Sequence, residues 1–157
     1  MNGQRYVRNA QVISTQLVLP NDTNQLGNLL GGTLMHWIDI AAAIAAQRHS
    51  GRVCVTASVD EINFHHPIRL GEVVTLQASV NRAFRTSMEV GVLVTAQSLS
   101  GEPSRRANNA YLTFVAVDDE GHPVQIPPII PETPDEKRRH DDALARRENR
   151  LQRRSRQ

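Results

Sequence analysis

Residues 33–46, TLMHWIDIAAAIAA, read as one apolar helix carrying a single charge, Asp39. At helical spacing Leu34, Ile38, Ala41 and Ala45 fall on one stripe, the natural face toward a sheet. The alanines at 41, 42, 43, 45 and 46 leave room for another backbone to approach closely. Asp39 lies about 100° around the helix from Ile38, at the margin of that stripe. An ionised carboxylate taken out of water costs several kcal/mol unless it is paired or hydrogen-bonded, so Asp39 needs a partner or a task. Two roles fit. It is either a buried acid satisfied by backbone amides or an arginine, or a carboxylate held in a cleft as a general base or nucleophile.

Working outward, the helix is predicted from about Gly32 to His49, with the glycine of SGR (50–52) in the usual stop position. NDTNQLGNLLGG (21–32) precedes it as a turn-rich loop. Gly31 and Gly32 leave backbone N–H groups uncovered at the helix start. Such a terminus can polarise a carbonyl oxygen or hold an oxyanion, although paired glycines also serve simply as a turn. QVISTQLVLP (11–20) alternates as a first strand, ended by Pro20. After the helix come four more strand candidates, at 53–64, 72–84, 86–98 and 108–118, rich in β-branched residues and bounded by turn signals. Short connections between them imply antiparallel pairing, and one helix of about 17 residues spans roughly 25 Å, enough to lie across such a sheet. The predicted class is α+β.

Composition bounds the rest. A chain of 157 residues, 39% hydrophobic but only 4% aromatic, holds one domain whose core is built from Val, Ile, Leu and Ala. A single cysteine, Cys54, cannot form an internal disulfide, which fits a reducing compartment. No leader-like N-terminal segment is evident, and nothing approaches the roughly 18 apolar residues of a membrane span, so a cytoplasmic location without membrane association is expected. The net charge of +2 hides an asymmetry: residues 136–157 carry nine Lys/Arg against four Asp/Glu, and the preceding 135 carry nine against twelve. The body is therefore mildly acidic, which argues against nucleic acid as a partner. Three segments follow: a domain at 1–125, a Pro-rich extended exit at 126–135, and a basic tail at 136–157 that is helical or disordered. With Leu144 and Leu151 as its only large apolar residues, the tail reads as a solvated, partly frayed helix, the rival being a docking or anionic-surface element.

DTNQLGNLLGGTLMHWIDIAAAIAAQRHSG (22–51), TASVDEINFHHPIRLGEVV (56–74), RAFRTSMEVGVLV (82–94) and AYLTFVAVD (110–118) together resemble the hotdog-fold acyl-CoA thioesterases, in order and spacing, over residues 12–125. Nearest in pattern are brain-type acyl-CoA hydrolase and its short bacterial relatives. The resemblance implies a long helix wrapped by an antiparallel sheet of five or six strands. It also implies homodimers joined sheet edge to sheet edge, with active sites at the interface, and dimers assembling into trimers of dimers. By the same resemblance Asp39 is the general base or nucleophile. Asn24 helps to position water or substrate, possibly across the subunit boundary. The Gly32 amide, beside Gly31, polarises the thioester carbonyl. Arg85, Thr86 and Ser87 lie along the CoA arm, with Arg82 and Arg69 as weaker candidates; guanidinium groups suit the phosphates of CoA. Relatives often carry His or an aromatic before the glycine pair where this chain has Leu30, so no chemical role is expected there. His36, alone on the first turns of the helix, is expected to be a packed or surface residue.

The implied reaction is hydrolysis of acyl-CoA to free acid and CoA, with no metal and no organic cofactor. One rival is a hotdog hydratase or dehydratase, which would want a catalytic His paired with an acid. The other is a non-catalytic acyl-CoA-binding regulator, which would want a DNA-reading module; no helix-turn-helix pattern precedes residue 10.

Overall fold

A computed structural model describes residues 3–60, 62, 64 and 66–156. The elements run α1 (Val7–Ala10), β1 (Val12–Leu17), α2 (Gly31–Ser50), β2 (Val53–Val59), β3 (Val73–Ala83), β4 (Ser87–Gln97), β5 (Arg105–Val117) and α3 (Pro134–Ser155). The five strands form one sheet in the order β1-β3-β4-β5-β2, and every pairing is antiparallel. α2 touches all five strands. One long helix against an antiparallel sheet is the α+β hotdog arrangement the sequence implies.

The alternation of apolar residues explains the core. Val74, Leu76, Ala78 and Val80 of β3, Met88, Val90, Val92 and Val94 of β4, and Ala110, Leu112 and Phe114 of β5 point inward and are buried. Against them α2 buries Leu34, Ile38, Ala41, Ala42, Ala45 and Ala46, which is the expected stripe widened by Ala42 and Ala46. α2 ends as expected, on Gly51 in the left-handed conformation (φ 68°), whose N–H donates to the Gln47 carbonyl. β5 begins at Arg105, three residues before its expected start, as its first residues pair with Ala96 and Thr95. Arg105 also grips Glu72 bidentately at 2.6 and 2.9 Å, and this hydrogen bonding holds the Glu72 carboxyl below its ordinary range. β2 stops at Val59; Glu61 and Asn63, within its expected continuation, lie outside the described residues.

The tail forms α3 and docks on the outer face of the sheet. Ala143 is fully buried there, and Arg146 clamps Glu89 at 2.7 and 3.0 Å. Glu89 itself has no solvent exposure, and it also accepts a hydrogen bond from Asn81 Nδ2 at 3.0 Å. Arg146 stacks on the Tyr111 ring at 3.8 Å and Arg147 on Phe84 at 4.2 Å. A hydropathy reading finds two leucines and little else in this segment, because the docking is done by guanidinium groups against carboxylate and aromatic faces. No helix among the described residues is long and apolar enough to cross a membrane.

Two stability outcomes follow from the buried polar groups. Arg146→Ala leaves the Glu89 carboxylate with only Asn81 and the more distant Arg150, at 3.8 Å, and is expected to cost about 3 kcal/mol; replacing both Arg146 and Glu89 by leucine should recover most of that loss, as read from thermal melts. His49 is buried, with Nε2 2.8 Å from the Pro127 carbonyl oxygen and Arg5 donating to its own carbonyl. Burial depresses its pKa below the ordinary 6.5, so the unfolded chain binds more protons as pH falls below that value. The melting temperature should therefore be lower at pH 5.5 than at pH 7.5, and His49→Gln should flatten that dependence.

Candidate active site

α2 places Asp39 on its flank beside β2, half-buried, and the Thr56 hydroxyl of β2 donates to Asp39 Oδ1 at 2.7 Å. That hydroxyl is the partner the sequence leaves open. Among the described residues no cation lies within ion-pair distance of the carboxylate, and it is not sealed from solvent. Thr56 went unnoticed in the sequence because an alternating strand of Val, Thr and Ser gives no hint of which hydroxyl faces the helix.

α2 starts at Gly31, with Leu30 as N-cap and no side chain capping its first amides. Gly32 is exposed, and a Cβ added there would meet nothing within 4 Å; a Cβ on Gly31 would touch the Phe64 ring at 3.6 Å. Asn24 and Gly31 line one cavity of about 200 Å³ with Asn28, Leu34, Phe64 and His66. Asn24 Oδ1 accepts from the Leu26 and Asn28 amides at 2.9 and 3.1 Å, which fixes the loop. The Asn28 Oδ1 in the same cavity is buried without a hydrogen-bond partner among the described residues.

Asp39 does not line that cavity. Seven residues separate it from Gly32, about 10 Å along the helix axis. Hydrogen-bonded chemistry requires about 3 Å. One chain therefore brings Asn24 to Gly31 and Thr56 to Asp39 but does not bring the two pairs together.

Ser87 opens β4, and Arg85 and Thr86 lie in the β3–β4 turn. Its backbone is held by the Phe84 amide on the Ser87 carbonyl, the Ala116 amide on the Thr86 carbonyl and the Ile126 amide on the Arg85 carbonyl. The Arg85 side chain is exposed. Arg82 turns instead to α3, donating to the His140 carbonyl at 3.1 Å, and this occupies it structurally. His36 is exposed. Among the described residues no group of three or more His, Cys, Asp or Glu could hold a metal ion.

A thioesterase superfamily model matches residues 26–100. The chain is 40% identical, over 95% of its length, to an uncharacterized acyl-CoA thioester hydrolase of Bacillus subtilis, of which it spans 87%. The chain belongs to the thioesterase superfamily. It shares 45% identity over 95% of its length with acyl-coenzyme A thioesterase 11 of Mus musculus, and 40% over 83% with a cytosolic acyl coenzyme A thioester hydrolase of Rattus norvegicus. It spans only 25% and 35% of those two proteins. Among solved structures, the acyl-CoA hydrolase of Staphylococcus aureus, in complex with butyryl coenzyme A, coenzyme A and coenzyme A disulfide, superposes with a TM-score of 0.90 at 39% identity, covering 97% of this chain and 93% of that one. A hexameric acyl-CoA thioesterase superposes at 0.91 and 40%, covering 96% and 97%. The thioesterase superfamily assignment agrees with the wrapped-helix architecture.

Gly32 bears a backbone group, not a side chain, in this thioesterase-superfamily helix terminus. Gly32→Ala keeps that N–H and clashes with nothing in the chain, so its melting temperature should equal or slightly exceed that of the parent.

Proposed function

We propose that the protein hydrolyses acyl-CoA thioesters to free carboxylic acid and CoA. The observation that carries this reading is the Asp39 carboxylate, half-buried on an apolar helix and hydrogen-bonded by the Thr56 hydroxyl at 2.7 Å, with no cation paired to it among the described residues. A carboxylate so held is oriented to act as a base for water or as a nucleophile on the thioester carbon. The Gly32 amide, at an uncapped helix start, is the donor for the carbonyl oxygen as negative charge develops there. Asn24 positions water or acyl group in the cavity it shares with Gly31. Thiolate is a good leaving group, so no strong general acid is required, and the reading needs neither metal nor organic cofactor. Arg85, Thr86 and Ser87 are the candidates for the CoA arm; Arg82 supports that turn through α3 more than it offers a free guanidinium.

The S. aureus acyl-CoA hydrolase has been solved as three variants in which an asparagine, an aspartate or a threonine is replaced by alanine, at positions spaced by 15 and 17 residues. Asn24, Asp39 and Thr56 stand at the same intervals here, which supports reading them as one constellation.

The gap between Gly32 and Asp39 along α2 favours a homodimer in which each site takes its oxyanion donor from one subunit and its acid from the other. β2 is an edge strand, with Val53 62% and Val55 48% exposed, and α2 offers Ile40 beside it at 46%. An unpaired apolar edge is a pairing surface. Joining two β2 edges antiparallel would carry each α2 alongside its partner. Trimers of dimers are supported by the hexameric thioesterase of similar fold. A cytoplasmic location is supported by the relatives named cytosolic.

Asp39→Asn is expected to lower kcat on a short-chain acyl-CoA by about 10²–10⁴ while the oligomer stays intact on gel filtration. Thr56→Val should lower it less, by about tenfold, the loss of one hydrogen bond to a charged group. An Asp39→Asn protein that turns over normally refutes the reading.

A further inference from the structure

A cleft of about 230 Å³ on the outer face of the sheet, along one flank of α3, is not used by the proposed chemistry. Its wall is Arg138, Arg139, Asp142 and Arg146, and Arg106 of β5 faces them. The β3–β4 turn with Arg85 belongs to the other flank, where Arg147 lies on Phe84 and Arg82 reaches His140.

The floor is built from polar groups. Gln77, Leu93 and Asn109 form one rung across β3, β4 and β5; Ser79, Gly91 and Tyr111 form the next. Adjacent strands are about 4.8 Å apart, so Gln77 and Asn109 stand roughly 10 Å apart on the same face. Gly91 makes room in the second rung for the Asn81 side chain, whose Nδ2 a Cβ there would meet at 2.7 Å. Gln77, Ser79 and Asn109 make no side-chain hydrogen bond among the described residues, and neither Arg106 nor Arg139 has a carboxylate within ion-pair distance there. Arg146 is neutralised by Glu89 and Arg138 is paired with Asp135 at 3.4 Å. Asp142 is the single acid in the lining.

We infer that this cleft binds a compact phosphate-bearing anion, gripped by Arg106 and Arg139 and hydrogen-bonded from the floor by Gln77, Ser79 and Asn109. Guanidinium groups meet phosphate oxygens bidentately, and neutral amides and hydroxyls complete such sites without adding charge. A volume of this size accommodates a pyrophosphate-sized group. Those phosphates could belong to a separate ligand or to the nucleotide of an acyl-CoA; the binding chemistry is the same.

The test is isothermal titration of the full chain with inorganic pyrophosphate at low salt, which needs no turnover and so is independent of the hydrolase reading. Saturable binding is expected, weakened at least about tenfold by Arg106→Gln and further by Arg106→Gln with Arg139→Gln. Arg106 is exposed, so the single variant should fold even if the double does not. If the KM for acyl-CoA rises in step, the phosphates are those of the substrate; if KM is unchanged, the ligand is a separate one. Pyrophosphate that fails to bind, or that binds parent and variants alike, overturns the inference.

Discussion

Everything in this molecule depends on how closely α2 can sit in the curl of the sheet. Ala41, Ala42, Ala45 and Ala46 give the helix a thin face, and the valines of β3 and β4 fill the space opposite. A helix with larger residues there would ride higher and turn its flank away from β2. Because it sits low, Asp39 comes within 2.7 Å of the Thr56 hydroxyl, and an acid that would be a liability in an apolar helix acquires a hydrogen-bond donor. Packing density thus sets the chemistry. The same small residues that bury apolar surface also fix the bearing of the carboxylate.

The sheet also has two free edges. β1 and β2 end the sheet, but they are not equivalent, because β2 lies next to the flank of α2 that carries Asp39 and Ile40. A helix rises about 1.5 Å per residue, so no bend within α2 could bring the Gly32 amide to Asp39. The proposed chemistry needs both within hydrogen-bond reach of one thioester. Geometry of a single straight element therefore argues for a second subunit more strongly than the exposed valines do, since scattered surface apolar residues are ordinary.

The outer face of the sheet solves a different problem. A two-layer α+β domain leaves that face to water, and here β3, β4 and β5 line it with Gln77, Ser79, Asn81, Glu89 and Asn109. α3 covers part of it, and it does so with arginines over Glu89 and Tyr111 instead of with an apolar stripe. A buried ion pair of this kind contributes little net stability but penalises any misplacement of the helix, since both cations facing Glu89, Arg146 and Arg150, sit on α3. The result is a helix whose position is well defined although its sequence is almost wholly polar.

Much of this was legible in the residues. The 33–46 segment with its alanines, the glycine at 51 and the β-branched runs fixed the helix, its stop and four of the strands, because local periodicity and turn chemistry act within a few residues. The marginal position of Asp39 on the buried stripe was also a matter of helical angle alone. Three things were not local. The choice of Thr56 as the partner of Asp39 depends on the register of β2 against β5, set by pairings some 60 residues apart in sequence. The diversion of Arg82 from the β3–β4 turn to His140, and the docking of the tail through Arg146 on Glu89, depend on where α3 crosses the sheet. The sequence determined which residues could do these things; only the tertiary structure decided which of them met, because contacts between polar side chains far apart in the chain leave no periodic trace.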